Sequence, residues 1–200
     1  MLMEEINVYI KVEEGGKIPS YGSPYASGCD LYAAEDMVIR PGEVKVVPLN
    51  FRFALPDDCE AQIRPRSGLS LKTNIRIPNS PGTIDADYRD LVGIIAENNY
   101  NRANLPLEII ENPSILKDIE ANYTEVSISE YLNIYGDLGV LKEKIYLDKN
   151  NNPYGTIYIK KHERIAQMVF CQYRKAVFKE HHDPKEIGHN RGGGFGHTGV

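Results

Sequence analysis

Short runs of β-branched and aromatic residues, each soon cut by Gly, Pro or Asp, fill the first hundred residues of this chain. INVYIKV (6–12) alternates apolar and polar positions, and KIPSYGSPY reads as a punctuated loop. MVIRPGEVKVVPLNFRFALP holds two or three strands around the turn Arg40-Pro41-Gly42-Glu43. IRIPNSPGTIDADYRDLVGIIAEN sets an Asn-Ser-Pro-Gly turn between two strands, which signals a hairpin. Strands of this length at this turn spacing predict an all-β sandwich or barrel.

The pattern lapses between Tyr100 and Pro153, where Glu, Leu, Ile and Lys take over with some helical spacing. Ser127 or Ser129 is placed to cap a helix carrying Glu130 in its first turn. Strand character returns with GTIYIKK and RIAQMVFCQYRKAVF. Residues 100–153 therefore read as an insertion between two strands of one domain spanning 1–200. The last stretch, HHDPKEIGHNRGGGFGHTGV, is too rich in Gly to pack a core. Residues 186–200 read as a flexible C-terminal arm.

Two hundred residues suffice for one domain with an insertion. The formal net charge of −5 argues against direct nucleic-acid binding, which favours a basic balance. Three widely spaced cysteines without a CxxC pair support neither a zinc ribbon nor a disulfide framework, and reduced cytoplasmic thiols are expected. The early acids exclude a signal peptide, and no apolar run is long enough for a membrane span. His181, His182 and His189 lie in a Pro/Lys/Glu linker without ligand-like pairing and read as solvated.

Five segments carry chemistry: ASGCDLYAAED (26–36), RPRSGLS (64–70), NSPGTIDADYRD (79–90), ERIAQMV (163–169) and NRGGGFGHTG (190–199). Arg66-Ser67-Gly68 offers a guanidinium fork, a hydroxyl and backbone N–H groups, a sound cradle for an anion; taken alone it is also a polar turn. Asn79 carries both donor and acceptor, and Gly82 lets a ligand approach the backbone closely. Asp85 and Tyr88 alone would read as a turn residue and a core aromatic. Strand alternation sends Arg164 and Ala166 one way and Ile165 and Gln167 the other, with Arg164 suited to a structural ion pair. The Gly-rich run lacks the GK[ST] ending of a P-loop.

Together and in this order, the five segments resemble the motifs of the trimeric dUTPase family, over the whole chain except about residues 100–153. The resemblance implies a jelly-roll-like β-barrel, a homotrimer with shared active sites, and Mg²⁺-dependent hydrolysis of dUTP to dUMP and pyrophosphate. It implies that Asp85 activates the attacking water, and that Arg66, Ser67 and Gly68 hold phosphate. Asn79, Gly82, Thr83 and Ile84 would read the uracil, and Tyr88 would lie under the deoxyribose. Gln167 would meet a phosphate or an ordered water. Arg191, Phe195, Gly196, His197 and Thr198 would close over the nucleotide, Phe195 stacking on the base. Asp30 would act near the metal or support the site, with Mg²⁺ held mainly by phosphates and water; as a residue it reads equally as a structural hydrogen-bond acceptor.

The chain departs from the family pattern at four places. Cys29 replaces an aromatic, Asp90 a Gly, and His162-Glu163 a Gly-Asp pair; the arm from Arg191 to Phe195 is one residue short. The related dCTP deaminase reaction and a non-enzymatic dUTP-sensing role are the alternatives. Asp85 with Tyr88 and the Phe-containing arm speak against the first, and the retained Asp85, Ser67 and Arg191 against the second as a sole role. The insertion reads as a surface elaboration or as a docking surface for a protein partner.

Overall fold

The computed structural model describes residues 5–193. The strands are β1 (Tyr9–Val12), β2 (Ser20–Tyr21), β3 (Cys29–Tyr32), β4 (Met37–Ile39), β5 (Val44–Pro48), β6 (Phe51–Ala54) and β7 (Cys59–Arg64). After helix α1 (Ser67–Lys72) come β8 (Ile75–Arg76), β9 (Gly82–Ile84) and β10 (Gly93–Asn98). Then follow α2 (Leu105–Glu111), α3 (Ser114–Asn122), β11 (Tyr123–Ser127), α4 (Ile128–Leu132), β12 (Lys144–Asp148), β13 (Ile157–Ile159) and β14 (Arg164–Gln172). The five-stranded sheet runs β2-β3-β14-β7-β9, a second runs β5-β10-β8, and β1-β6, β13-β4 and β11-β12 form pairs.

The core is built as the alternation predicts. In β6, Phe51 and Phe53 are buried and Arg52 and Ala54 less so; in β7, Cys59, Ala61 and Ile63 point inward. Leu31, Ile39, Val47, Leu49, Phe51, Ile94 and Met168 are fully buried and join strands from every sheet of the body. Of the two or three strands predicted around Arg40–Glu43, three are present, as β4, β5 and β6. No helix among the described residues is long and apolar enough to cross a membrane.

Three local expectations change. The Asn79–Gly82 turn does join two strands, but they do not pair: β8 pairs with β10 and β9 with β7. The chain there crosses between sheets, as a jelly-roll corner requires, rather than closing a hairpin. Alternation in β14 breaks at a bulge between Arg164 and Ala166, which buries both Ile165 and Ala166 and leaves Arg164 exposed. Finally, strand pairing ends at Gln172, so RKAVF is not strand; Val177 and Phe178 are 81% and 94% exposed.

Between β10 and β13 the chain makes its own antiparallel pair, β11 with β12, flanked by α2, α3 and α4. Ser127 caps α4 through a capping box with Glu130, as expected. One buried amide closes the root of this segment. Asn98 Nδ2 donates to Ile39 O (2.9 Å) and Gly155 O (2.8 Å), and its Oδ1 accepts from Tyr100 N at 3.0 Å. Gly155, at φ +85°, is required there: a Cβ would overlap the Tyr100 ring.

Candidate active site

The five-stranded sheet positions most of the motif residues. In register, Gln167 of β14 lies between Asp30 of β3 and Arg64 of β7, and Ile63 of β7 faces Gly82 of β9. The first and second motifs meet through one buried carboxylate. Asp30, only 5% exposed, accepts from Arg66 Nε at 2.9 Å through Oδ1 and from Arg164 Nη1 at 3.1 Å through Oδ2. Arg66 Nη1 also donates to Arg164 O at 3.3 Å. The guanidinium of Arg66 is thereby fixed beside the exposed first turn of α1, where Ser67 and Gly68 sit. A carboxylate buried between two guanidinium groups is compensated, where a lone one would not be.

The third motif forms a pocket of about 210 Å³ lined by Asn79, Gly82, Thr83, Ile84, Asp85 and Tyr88, and closed by apolar residues that include Ile63, Val92 and Ile95. Gly82 permits its tightness: a Cβ would stand 3.1 Å from Asn79 Nδ2. Asp85 is exposed, and its carboxylate makes no hydrogen bond or ion pair among the described residues. Tyr88 is held by its hydroxyl, which donates to Leu91 O at 3.0 Å, and by its N–H on Asp85 O at 3.1 Å. The closing residues Val92 and Ile95 are not among the predicted site residues; nothing in their apolar character distinguishes them from ordinary strand positions.

The structure thus gathers the predicted residues into two groups, with Asn79–Tyr88 at one and Asp30, Arg66 and Ser67 at the other. Register fixes their separation. Ala61 pairs with Ile84, the residue before Asp85, and the chain runs on through β7 to Arg64 before reaching Arg66. At about 3.3 Å per residue this is on the order of 15–20 Å.

Arg191 is exposed and makes no bond among the described residues; Gly192 N donates to Asn190 Oδ1 at 2.8 Å. Phe195, Gly196, His197 and Thr198 lie outside the described residues. Cys29, beside Asp30, is buried; its Sγ donates to Met168 O at 3.4 Å, and burial pushes its thiol up to about 11. It is a packing residue. His181, His182 and Glu186 do come together, contrary to the reading of an unpaired linker. His182 Nε2 lies 3.0 Å from Glu186 Oε2, and all three residues are exposed.

A dUTPase family model matches residues 14–109. The chain is 34% identical over 188 residues to a deoxyuridine 5'-triphosphate nucleotidohydrolase of Rickettsia felis, covering 92% of this chain and 90% of that protein. It is 30% identical over 200 residues to the one from Syntrophotalea carbinolica, covering 98% and 99%. Among solved structures, the Staphylococcus bacteriophage 80alpha dUTPase with dUPNHPP superposes with a TM-score of 0.69 at 22% identity, covering 97% of this chain and 99% of that one. The dUTPase of phage phi11 of S. aureus, described with a species-specific insert, gives 0.62 at 20% identity, covering 90% and 99%. The jelly-roll β fold is shared with these phage proteins, and on the sequence matches this chain belongs to the dUTPase family.

Proposed function

We propose that the chain hydrolyses dUTP to dUMP and pyrophosphate at sites shared between copies in a homotrimer. The separation of Asp85 from the Arg66–Ser67 turn carries this reading. Water activated by Asp85 sits within about 3 Å of it, so the phosphate-binding groups must stand within one triphosphate length. Groups 15–20 Å apart along β7 in one chain do not meet that requirement. A second copy bringing its Asp30–Arg66–Arg164 cluster to the pocket of the first does. An uncovered apolar stripe on β5 and β10 supports association: Val44, Val46 and Ile95 are 56%, 61% and 37% exposed, and Val46 and Ile95 are paired in register.

In this reading the 79–88 pocket holds uracil and deoxyribose. Asn79 and the backbone around Gly82 hydrogen-bond the base, and Tyr88 packs against the sugar. Asp85 takes the proton of the attacking water, and Arg66, Ser67 and Gln167 bear on the phosphates, with Arg191 and the arm residues Phe195 to Thr198 closing over them. Positioning and charge stabilisation supply most of the rate. The donor set fits Mg²⁺ carried by the substrate. Each Asp30 oxygen accepts one N–H and keeps a lone pair for a metal-bound water, while among the described residues no cage of carboxylates is built around it. Mg²⁺ so held would neutralise triphosphate charge.

The physiological yield would be dUMP for dTMP synthesis and the exclusion of uracil from DNA, in the cytoplasm. Residues 100–153 are an insertion on this domain, and 186–200 its arm. The insertion exposes Leu107, Ile110 and Tyr135 at 61%, 74% and 83%, which suits a protein partner. Pyrophosphate release with Mg²⁺ from dUTP, dCTP, dTTP and UTP tests the reaction. Rapid turnover of dUTP alone, reduced about 10²–10⁴-fold in Asp85→Asn, is expected; equal turnover of the four, or an unaffected variant, would sink it.

A further inference from the structure

A cavity of about 440 Å³ lies between the Arg40–Glu43 turn of the barrel and residues 100–154, adjoining a second of about 330 Å³. Pro41, Arg102, Ile128, Ile145 and Pro153 line both. Neither shares a residue with the pocket around Asp85, so this space is separate from the candidate active site. Its size and its place between two folded parts suit a small-molecule site.

The lining has a consistent chemistry. Tyr100, Tyr146 and Tyr154 give it aromatic walls, with Tyr100 and Tyr154 locked edge-to-face at 5.9 Å. Two guanidinium groups keep unused donors. The guanidinium of Arg102, which lines both cavities, makes no hydrogen bond or ion pair among the described residues. Arg40 pairs with Glu43 through Nη1, yet its Nε is buried with no partner. By contrast Lys144 is paired with Glu125. Glu143 also lines the first cavity, and its carboxylate has no ion pair among the described residues. Guanidinium forks match phosphate. Aromatic faces stack on bases. An ionised carboxylate only accepts hydrogen bonds and so matches an amino donor.

We propose that this cavity is a second ligand site, taking a nucleoside monophosphate whose base carries an amino group. Arg102 and Arg40 hold the phosphate, the tyrosines flank the base, and Glu143 accepts from the amino group. The site thus selects for bases other than uracil, and it stands independently of the reaction proposed above.

Isothermal titration of the full chain with dAMP, dCMP, dGMP, dTMP and inorganic phosphate tests it. At least one amino-bearing monophosphate is expected to bind once per chain, with dTMP and inorganic phosphate at least tenfold weaker. Arg102→Ala, at an exposed position, is expected to weaken that binding tenfold or more while dUTP turnover without added nucleotide stays within twofold. Glu143→Gln is expected to erase the preference over dTMP. Absence of heat at millimolar ligand, equal binding of inorganic phosphate, or binding untouched by Arg102→Ala would each overturn the proposal.

Discussion

Asp30→Asn separates a positioning role for Asp30 from a purely structural one. The substitution keeps the shape and one carbonyl oxygen, but turns the other oxygen into an N–H donor facing an arginine. The Asp30–Arg66 bond joins side chains 7% and 23% exposed, so its charge-assisted character is largely retained, worth about 1.5–3 kcal/mol. Arg164 is 54% exposed, and solvent screening reduces its share to about 0.2–1 kcal/mol. The expected loss is about 2–3 kcal/mol, or roughly 1 M in the urea midpoint for an m-value of about 2–3 kcal/mol/M. Unfolding followed by circular dichroism measures it. On the proposed function, pyrophosphate release measures the second effect, since Arg66 freed from Asp30 would no longer present a fixed fork to phosphate. A double-mutant cycle with Arg66→Lys makes the reasoning refutable. If Asp30 acts through Arg66, the double variant is no slower than Arg66→Lys alone; fully additive losses in turnover would refute the clamp.

Three further outcomes are expected. Asn98→Ala strands Ile39 O, Gly155 O and Tyr100 N, and at about 1–3 kcal/mol for each buried group should cost at least 3 kcal/mol, read as a lowered urea midpoint. Val46→Asp places a charge on the exposed β5–β10 stripe. Light scattering should show monomer in place of trimer, and dUTP turnover should fall with Asp85 intact; a trimeric, inactive variant would contradict the shared-site reading. Iodoacetamide at pH 8 should label Cys171 before Cys29. With its folded pKa raised to about 11, Cys29 is about one part in a thousand thiolate at that pH, and its labelling should rise only toward alkaline pH or on unfolding.

What was legible in the sequence follows from the range of each interaction. The strands around Arg40–Glu43 and the Ser127 cap depend on near neighbours, and both were readable. The β14 bulge and the crossing at Asn79–Gly82 depend on which strand lies alongside, which alternation does not encode. The candidate site shows the same division. The motif residues were identifiable as types, since a guanidinium, a hydroxyl and a carboxylate announce their chemistry. The clamp of Arg66 by Asp30 spans 36 positions and that of Arg164 by Asp30 spans 134, so only folding reveals them. The distance between Asp85 and Arg66 likewise emerges only from the register of β7 with β9.

The Asn98 amide has a consequence for how such a chain can change over generations. It bonds residues at both ends of the 100–153 segment and to the barrel at Ile39, so departure and return share one socket. Whatever is strung between those ends exerts little leverage on the barrel, and doubling its length costs only about 0.6 kcal/mol in closure entropy. The segment is therefore exchangeable as a cartridge. Tyr100, Gly155 and Asn98 are its fittings, while the residues between them are free to be rewritten for new surfaces without retuning the sheet that carries the candidate site.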